Sequence, residues 1–278
     1  MLINQSFAHG LNILQLYDSQ NPLFTVSQIS KRLGFSQSKT YRLIRTLVKY
    51  GLLQEYNKTA QYSLGLNALR LGLLAQQQFN IAAVARPFMK ELSLVTKETV
   101  LLTAINGTKG IVLDRVESEE PIRYSLFQPG ASIPLHAGAS STILMAHLPE
   151  EEWDFIIRRE GLKRYTPNTI TRANQLKRRL REIRRKGHAF SDQEMDRDVR
   201  AVAAPILNES GKLVAGLTVA GPAYRINKKR THDLIRGVTV YAHKISAAIG
   251  HMSVSAKRRG AKKSNQGNLS SRRSRKGL

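Results

Sequence analysis

The chain has 278 residues, long enough for two ordinary domains, and 41% of them are hydrophobic, enough to bury a core. Lys and Arg number 44 against 20 Asp and Glu, a formal charge of +24 at pH 7 that repels basic partners and favours polyanions such as DNA, RNA or an acidic membrane face. The absence of Cys excludes disulfide scaffolds, thiolate zinc fingers, iron-sulfur clusters and cysteine nucleophiles, and fits a reducing cytoplasm.

No run approaches the ~18 consecutive apolar residues of a membrane span. The N-terminus lacks the basic start and unbroken apolar block of a secretory signal, so a cytoplasmic protein without a membrane partner is expected. Phe7, Leu11, Leu14 and Tyr17 recur at the spacing of one buried helical face and predict a first helix. Pro22 and its polar neighbours break it. Thr25 then stands as an N-cap with Gln28 three residues on, a capping box that opens a short second helix ending at Gly34. Ser36 caps a third helix, whose apolar side is predicted as Tyr41, Ile44, Leu47 and Val48 and whose stop is Gly51. The stretches LLQEY and QYSLG flank Asn57, Lys58 and Thr59 as a hairpin. Helix, helix, turn, helix, hairpin is the order of a winged helix-turn-helix.

In that arrangement the third helix enters the major groove while its neighbours reach phosphates. Its outward side carries Gln37, Ser38, Lys39, Arg42, Arg45, Thr46 and Lys49, and residues 19–54 contain no acid. The candidate DNA contacts are Gln37, Ser38, Lys39, Tyr41, Arg42, Arg45 and Lys49, with Lys58 on the hairpin.

Residues 66–97 read as helix, with Pro87 able to start or kink a turn. From 99 onward TVLLTAI, GIVLDRV and PIRYSL predict strands, with turns at Asn106-Gly107 and Lys109-Gly110. Helices are expected near 138–147, 150–159 and 172–186, strands near 201–207 and 213–220 around a Ser210-Gly211 turn, and a long helix at 226–252. This mixture predicts an α+β fold with a mostly antiparallel sheet. The last 23 residues hold nine Lys or Arg and no acid, a composition expected to stay disordered.

His136, Ser140 and Asp192 suggest a hydrolase triad, but Ser140 lacks the second glycine of a nucleophile elbow. No HExxH, P-loop or strand-preceded GxGxxG occurs, and the seven His are scattered, so no catalysis, cofactor or metal is expected. The arginine-rich helix at 172–186 supports an alternative, sequence-independent binding to nucleic acid as in a nucleoid or RNA-binding protein.

Three separated blocks together resemble the IclR family of bacterial transcriptional regulators: LGFSQSKTYRLIRTLVKYGLL, GASIPLHAGASSTILMAHLP, and RYTPNTITRANQLKRRLREIRRKGHAFSDQEMDRDVRAVAAPILNESGKLVAGLTVAGP. The likeness covers about residues 5–251. It implies a winged helix-turn-helix, a linker helix, and a GAF-like C-terminal domain that binds a small organic acid or aromatic effector, in a homodimer or homotetramer on double-stranded DNA. The implied boundaries are 4–66 for the DNA-binding domain, 67–80 for the linker, 81–252 for the effector domain and 253–278 for the tail. Effector-binding candidates carried over by position are Gly138, Ala139 and Ser140 at a helix start, where free N–H groups hold anions, with Asp192, Glu194 and Thr218.

This chain departs from the family at several of these places. Ser140, Ser141, Thr142 and Ile143 stand where the family usually reads Ser-Gly-Lys-Ala, and Asp198 replaces a glycine. Val202 falls near a pocket cysteine of carboxylate-binding members, and Ala220 near a pocket hydroxyl. The exchanges leave fewer polar donors and point toward a larger or more apolar effector.

Overall fold

The computed structural model describes residues 3–273 apart from 19, 57, 58, 79 and 80. The chain divides into two compact units, Met1–Asn80 and Ile81–Leu278.

In the first unit α1 (Gln5–Leu14) is capped by Asn4, whose Oδ1 accepts from the Phe7 N–H at 3.1 Å. A two-residue strand, β1 (Phe24–Thr25), precedes α2 (Val26–Leu33), and the capping box read at Thr25 is formed. Gln28 N–H donates to Thr25 Oγ1 at 3.2 Å and Thr25 N–H donates to Gln28 Oε1 at 2.8 Å. Gly34, at φ 68°, supplies the left-handed residue that ends α2 before Ser36 caps α3 (Gln37–Lys49). Strands β2 (Leu53–Tyr56) and β3 (Gln61–Leu64) form the hairpin, β3 pairs also with β1, and α4 (Leu66–Gln78) follows.

Ile13, Phe24, Ile29, Ile44, Leu47, Leu53 and Tyr62 make this unit's core. Two helix faces differ from expectation. In α1 the buried residues are Gly10 and Ile13, while Phe7 and Leu11 are 69% and 41% exposed. α1 is apolar on two sides, and spacing alone selects neither. In α3 the seam is Thr40, Ile44 and Leu47, and Tyr41 is 48% exposed. Thr40 is accommodated because its hydroxyl donates to the Ser36 carbonyl at 3.0 Å, which satisfies it without water.

The second unit is built on one six-stranded antiparallel sheet. After α5 (Ile81–Thr96) come β4 (Thr99–Asn106), β5 (Lys109–Val116), β6 (Ser132–Pro134), α6 (Ala139–Ala146), α7 (Glu150–Glu160), α8 (Ala173–Lys186), β7 (Ala189–Asp192), β8 (Val199–Leu207), β9 (Leu213–Pro222) and α9 (Lys228–Arg273). The strand order is β6-β5-β4-β9-β8-β7. α5 and α9 cover one face, burying Met89, Leu92, Val238 and Ile245 against Val100, Leu102, Val202, Leu217 and Val219. α6, α7 and α8 form a second core with Trp153, Leu176, Leu180 and Ile183. Each fully buried side chain of this size removes about 1.5–3 kcal/mol worth of apolar surface from water. Pro87 lies inside α5.

Several local readings are corrected. Residues 121–126 (PIRYSL) are not a strand but a loop, since no neighbouring edge pairs with them. Lys109-Gly110 is no turn: it opens β5, where a Cβ on Gly110 would lie 2.7 Å from Ile133 Cγ1, so the glycine serves close packing. The edge strands β6 and β7 were not anticipated, being three and four residues long. The final helix, expected to stop at 252, runs Lys228–Arg273.

Candidate functional site

The 13 residues of α3 span roughly 20 Å and present one polar side. Gln37, Ser38, Tyr41, Arg42, Arg45, Thr46 and Lys49 are all exposed there. Lys39 is half-buried, its Nζ 4.4 Å from the centre of the Phe35 ring, so it is partly committed to packing. Arg42 and Arg45 have no ion pair among the described residues, and no acid lies on α2 or α3 to neutralise them. Lys58 lies outside the described residues. Arg32 on α2 is held by Asn21, Nη2 to Oδ1 at 3.2 Å, and stacks 4.5 Å from the Phe24 ring centre.

The second unit holds a small cavity of about 30 Å³ between the sheet and the start of α6. Its walls include Leu101, Tyr124, Phe127, Met195, Val199, Ala201 and Ala220, with Gly138, Ala139, Ser140, Ser141, Ser191 and Asp196 at the polar end. Tyr124 packs edge-on against Phe127, and burial pushes its hydroxyl pKa up. An outer cleft shares Tyr124, Asp196 and Val199 with the cavity and is flanked by Ile122, Arg197 and Tyr224.

Of the effector candidates, Gly138, Ala139 and Ser140 line the cavity. Glu194 reaches the same helix start, where its Oε2 accepts the Gly138 N–H at 3.2 Å, and burial raises its pKa. Thr218 lies in register with Leu101 on the sheet face that carries Ala220; it is fully buried and its hydroxyl has no partner. Asp192 is engaged elsewhere: Arg200 Nε donates to its Oδ1 at 2.7 Å and holds its carboxyl below the usual range. The positions not anticipated are Leu101, Tyr124, Phe127, Met195 and Asp196. Asp196 follows Glu194 by two residues and was the most findable; the others are brought together only by the sheet.

The imagined triad is not assembled. His136 Nε2 donates to the Lys163 carbonyl at 2.9 Å, while Asp192 is bound to Arg200. The cations of α8 are mostly committed too. Arg181 pairs with Glu150 at 2.7 Å, Lys177 with Asp154 at 2.6 Å, and Arg184 donates to the Ala146 and Leu148 carbonyls. That removes the main support for binding nucleic acid through this helix. No group of three or more His, Cys, Asp and Glu fit to hold a metal occurs among the described residues, and no described helix is long and apolar enough to cross a membrane.

Comparison with known proteins agrees with this arrangement. Residues 6–55 match the IclR helix-turn-helix domain, and residues 74–247 match the bacterial transcriptional regulator IclR C-terminal domain. The chain is 30% identical over 247 residues to the HTH-type transcriptional repressor AllR of Klebsiella pneumoniae, covering 88% of this chain and 90% of that one. An IclR transcriptional regulator from Alicyclobacillus acidocaldarius is 26% identical with a TM-score of 0.75, covering 89% and 99% of the two chains. An IclR homolog from Microbacterium hydrocarbonoxydans, solved with 4-hydroxybenzoate, is 22% identical with a TM-score of 0.73, covering 87% and 98%. With a matching family domain over each of its two units, the chain belongs to the IclR family of DNA-binding bacterial transcriptional regulators.

Proposed function

We propose that this regulator reads its operator with α3 and takes its signal in the cavity at the start of α6. The observation that carries the first half is the unneutralised polar face of α3. Gln37, Ser38, Tyr41 and Arg42, near its N-terminal end, would meet base edges, and Arg45, Lys49 and Lys58 phosphates. Two chains would bind together, each presenting one α3 to a half-site. Exposed Phe7 and Leu11 on α1, and Leu66, Leu69 and Leu73 on α4, are apolar stripes suited to pairing two copies, into dimers or tetramers. As a DNA-bound regulator it would work in the cytoplasm, and it would carry out no catalysis.

The cavity reading rests on its apolar walls and single polar end, the general character of small-molecule sites. An effector there would change operator affinity by ~1–3 kcal/mol. The homolog solved with 4-hydroxybenzoate makes aromatic compounds the first probes to try.

The test is footprinting on genomic DNA at physiological salt, followed by titration of the selected duplex. Wild type is expected to protect a few short sites, and Arg42→Ala to weaken operator binding by ~1–3 kcal/mol without changing the assembly state. Uniform protection of all sequences at one concentration, or unchanged affinity of a folded Arg42→Ala chain, would refute the assignment.

A further inference from the structure

α7 carries a face that the second unit itself leaves uncovered. Trp153 and Ile156 turn inward, into the core shared with α6 and α8. One flank is tied to α8, where Arg181 pairs with Glu150 at 2.7 Å and Lys177 with Asp154 at 2.6 Å. At the C-terminal end Glu160 accepts from Thr108 Oγ1 at 2.5 Å, and Lys109 lies 3.7 Å from it. The remaining side holds Glu151, Glu152, Phe155, Arg158 and Arg159, all exposed, with Phe155 at its centre 50% exposed. Glu151, Glu152 and Arg158 make no ion pair or side-chain hydrogen bond among the described residues. Arg159 has only Glu160, at 4.0 Å, and its guanidinium carbon lies 5.9 Å from the centre of the Phe155 ring, at the outer limit of a cation–π contact.

The charges are arranged symmetrically about Phe155 with opposite sign. Glu152 and Glu151 stand three and four residues before it, and Arg158 and Arg159 three and four after it. At 3.6 residues per turn all five fall within an arc of about 120° centred on Phe155. Acids in the first turn and bases in the last suit the helix dipole. The dipole gives no reason for a phenylalanine in water between them.

We propose that this face of α7 binds the same face of a second copy of the chain, with the two helices antiparallel about a two-fold axis beside Phe155. In that register Glu151 lies opposite Arg158 of the partner subunit, and Glu152 opposite Arg159 of the partner subunit. Each pair occurs twice, because a two-fold contact is self-complementary. The two Phe155 rings meet at the axis and leave water together. Parallel pairing would set acid against acid and base against base, which is repulsive. The contact lies wholly within the second unit, apart from the apolar stripes of α1 and α4. An 11-residue helix is about 16 Å long, and the contact of two such helices falls short of the ~1,200 Å² of a stable interface. It therefore joins chains already paired through another surface, turning dimers into tetramers, since that pairing raises the effective concentration of the second contact.

The experiment is sedimentation velocity of the full chain over a range of protein and salt concentrations. Wild type is compared with two double variants: Glu151→Arg with Glu152→Arg, whose face is all basic, and Arg158→Glu with Arg159→Glu, whose face is all acidic. Wild type is expected to reach tetramers, less readily as salt rises. Each variant should stop at dimers, with the dissociation constant of its tetramer raised at least about tenfold by like charge. An equimolar mixture of the two should regain tetramers, because the basic face then meets the acidic one. A variant that had merely unfolded α7 could not be rescued in this way, and Trp153 fluorescence on melting checks each fold. Phe155→Ala should weaken the tetramer while keeping its salt dependence. Wild type that stops at dimers, a double variant that assembles as far as wild type, or a mixture that stays dimeric would each overturn the proposal.

Discussion

Replacing Glu98 with Ala should be the most damaging single change to the second unit outside its apolar core. Glu98 is fully buried between α5 and β4, and its carboxylate is shared by two arginines. Arg225 Nε and Nη2 donate to it at 2.9 and 2.7 Å, and Arg230 lies at 3.3 Å. Removing the acid leaves Arg225, whose side chain is 17% exposed, without its counter-charge. Truncating one partner of a buried pair costs about 3–5 kcal/mol. For a unit of this size, at about 2–4 °C per kcal/mol, the midpoint should fall by roughly 6–20 °C. Trp153, the chain's single tryptophan, is fully buried in this unit, so its fluorescence during thermal or urea unfolding reports the right transition. Gly221 supplies an internal control. A Cβ there would sit 2.2 Å from Glu98 Oε2, and the pinned carboxylate cannot move aside, so Gly221→Ala alone should cost about 1–3 kcal/mol. In the Glu98→Ala background the clash is gone, and the two changes should be non-additive by roughly 1–3 kcal/mol. A midpoint drop under about 2 °C for Glu98→Ala, or simple additivity of the two changes, would refute this account.

Thr218→Val keeps the shape but removes a buried hydroxyl with no partner, so the ligand-free chain should gain about 1–3 kcal/mol in urea unfolding; a loss would mean that the hydroxyl is satisfied by water. Burial raises the Glu194 pKa, so its contribution is full below the ordinary carboxylate range and is lost as pH rises through the elevated value. Melting curves should therefore show stability falling with pH in that window, and Glu194→Gln should flatten the fall. Asp198, which stands where the family usually has glycine, sits at φ 62°; Asp198→Gly should relieve up to about 1 kcal/mol of backbone strain, measurable as a raised midpoint. A chain ending at Ser255 loses nine cations. If about half of them engage phosphates, the slope of log K against log salt should flatten by about 4 on operator and random duplex alike, while identical slopes would leave the tail without a role on DNA.

The order of elements was legible because its signals are local. The Thr25–Gln28 box, the Ser36 cap and the Gly34 stop each involve residues within one helical turn, and the short apolar runs at 99–105 and 213–220, bounded by turn residues, mark strands whichever neighbours they find. The basic face of α3 was legible for the same reason, since helical spacing alone puts Arg42, Arg45 and Lys49 on the side away from Ile44 and Leu47. Tertiary structure decided what depends on distant partners. It chose Gly10 and Ile13 over Phe7 and Leu11 as the inner side of α1, and left 121–126 as a loop because no strand edge was free for it. Leu101, Tyr124, Asp196 and Ala220 became one cavity only through the pairing of β4 with β9 and the crossing of two loops. Glu98 found Arg225 across 127 residues, and Glu194 found Gly138 across 56. Pairings of that span leave no periodic mark in the chain, because the contact is made by the folded sheet and not by the spacing of the residues that form it.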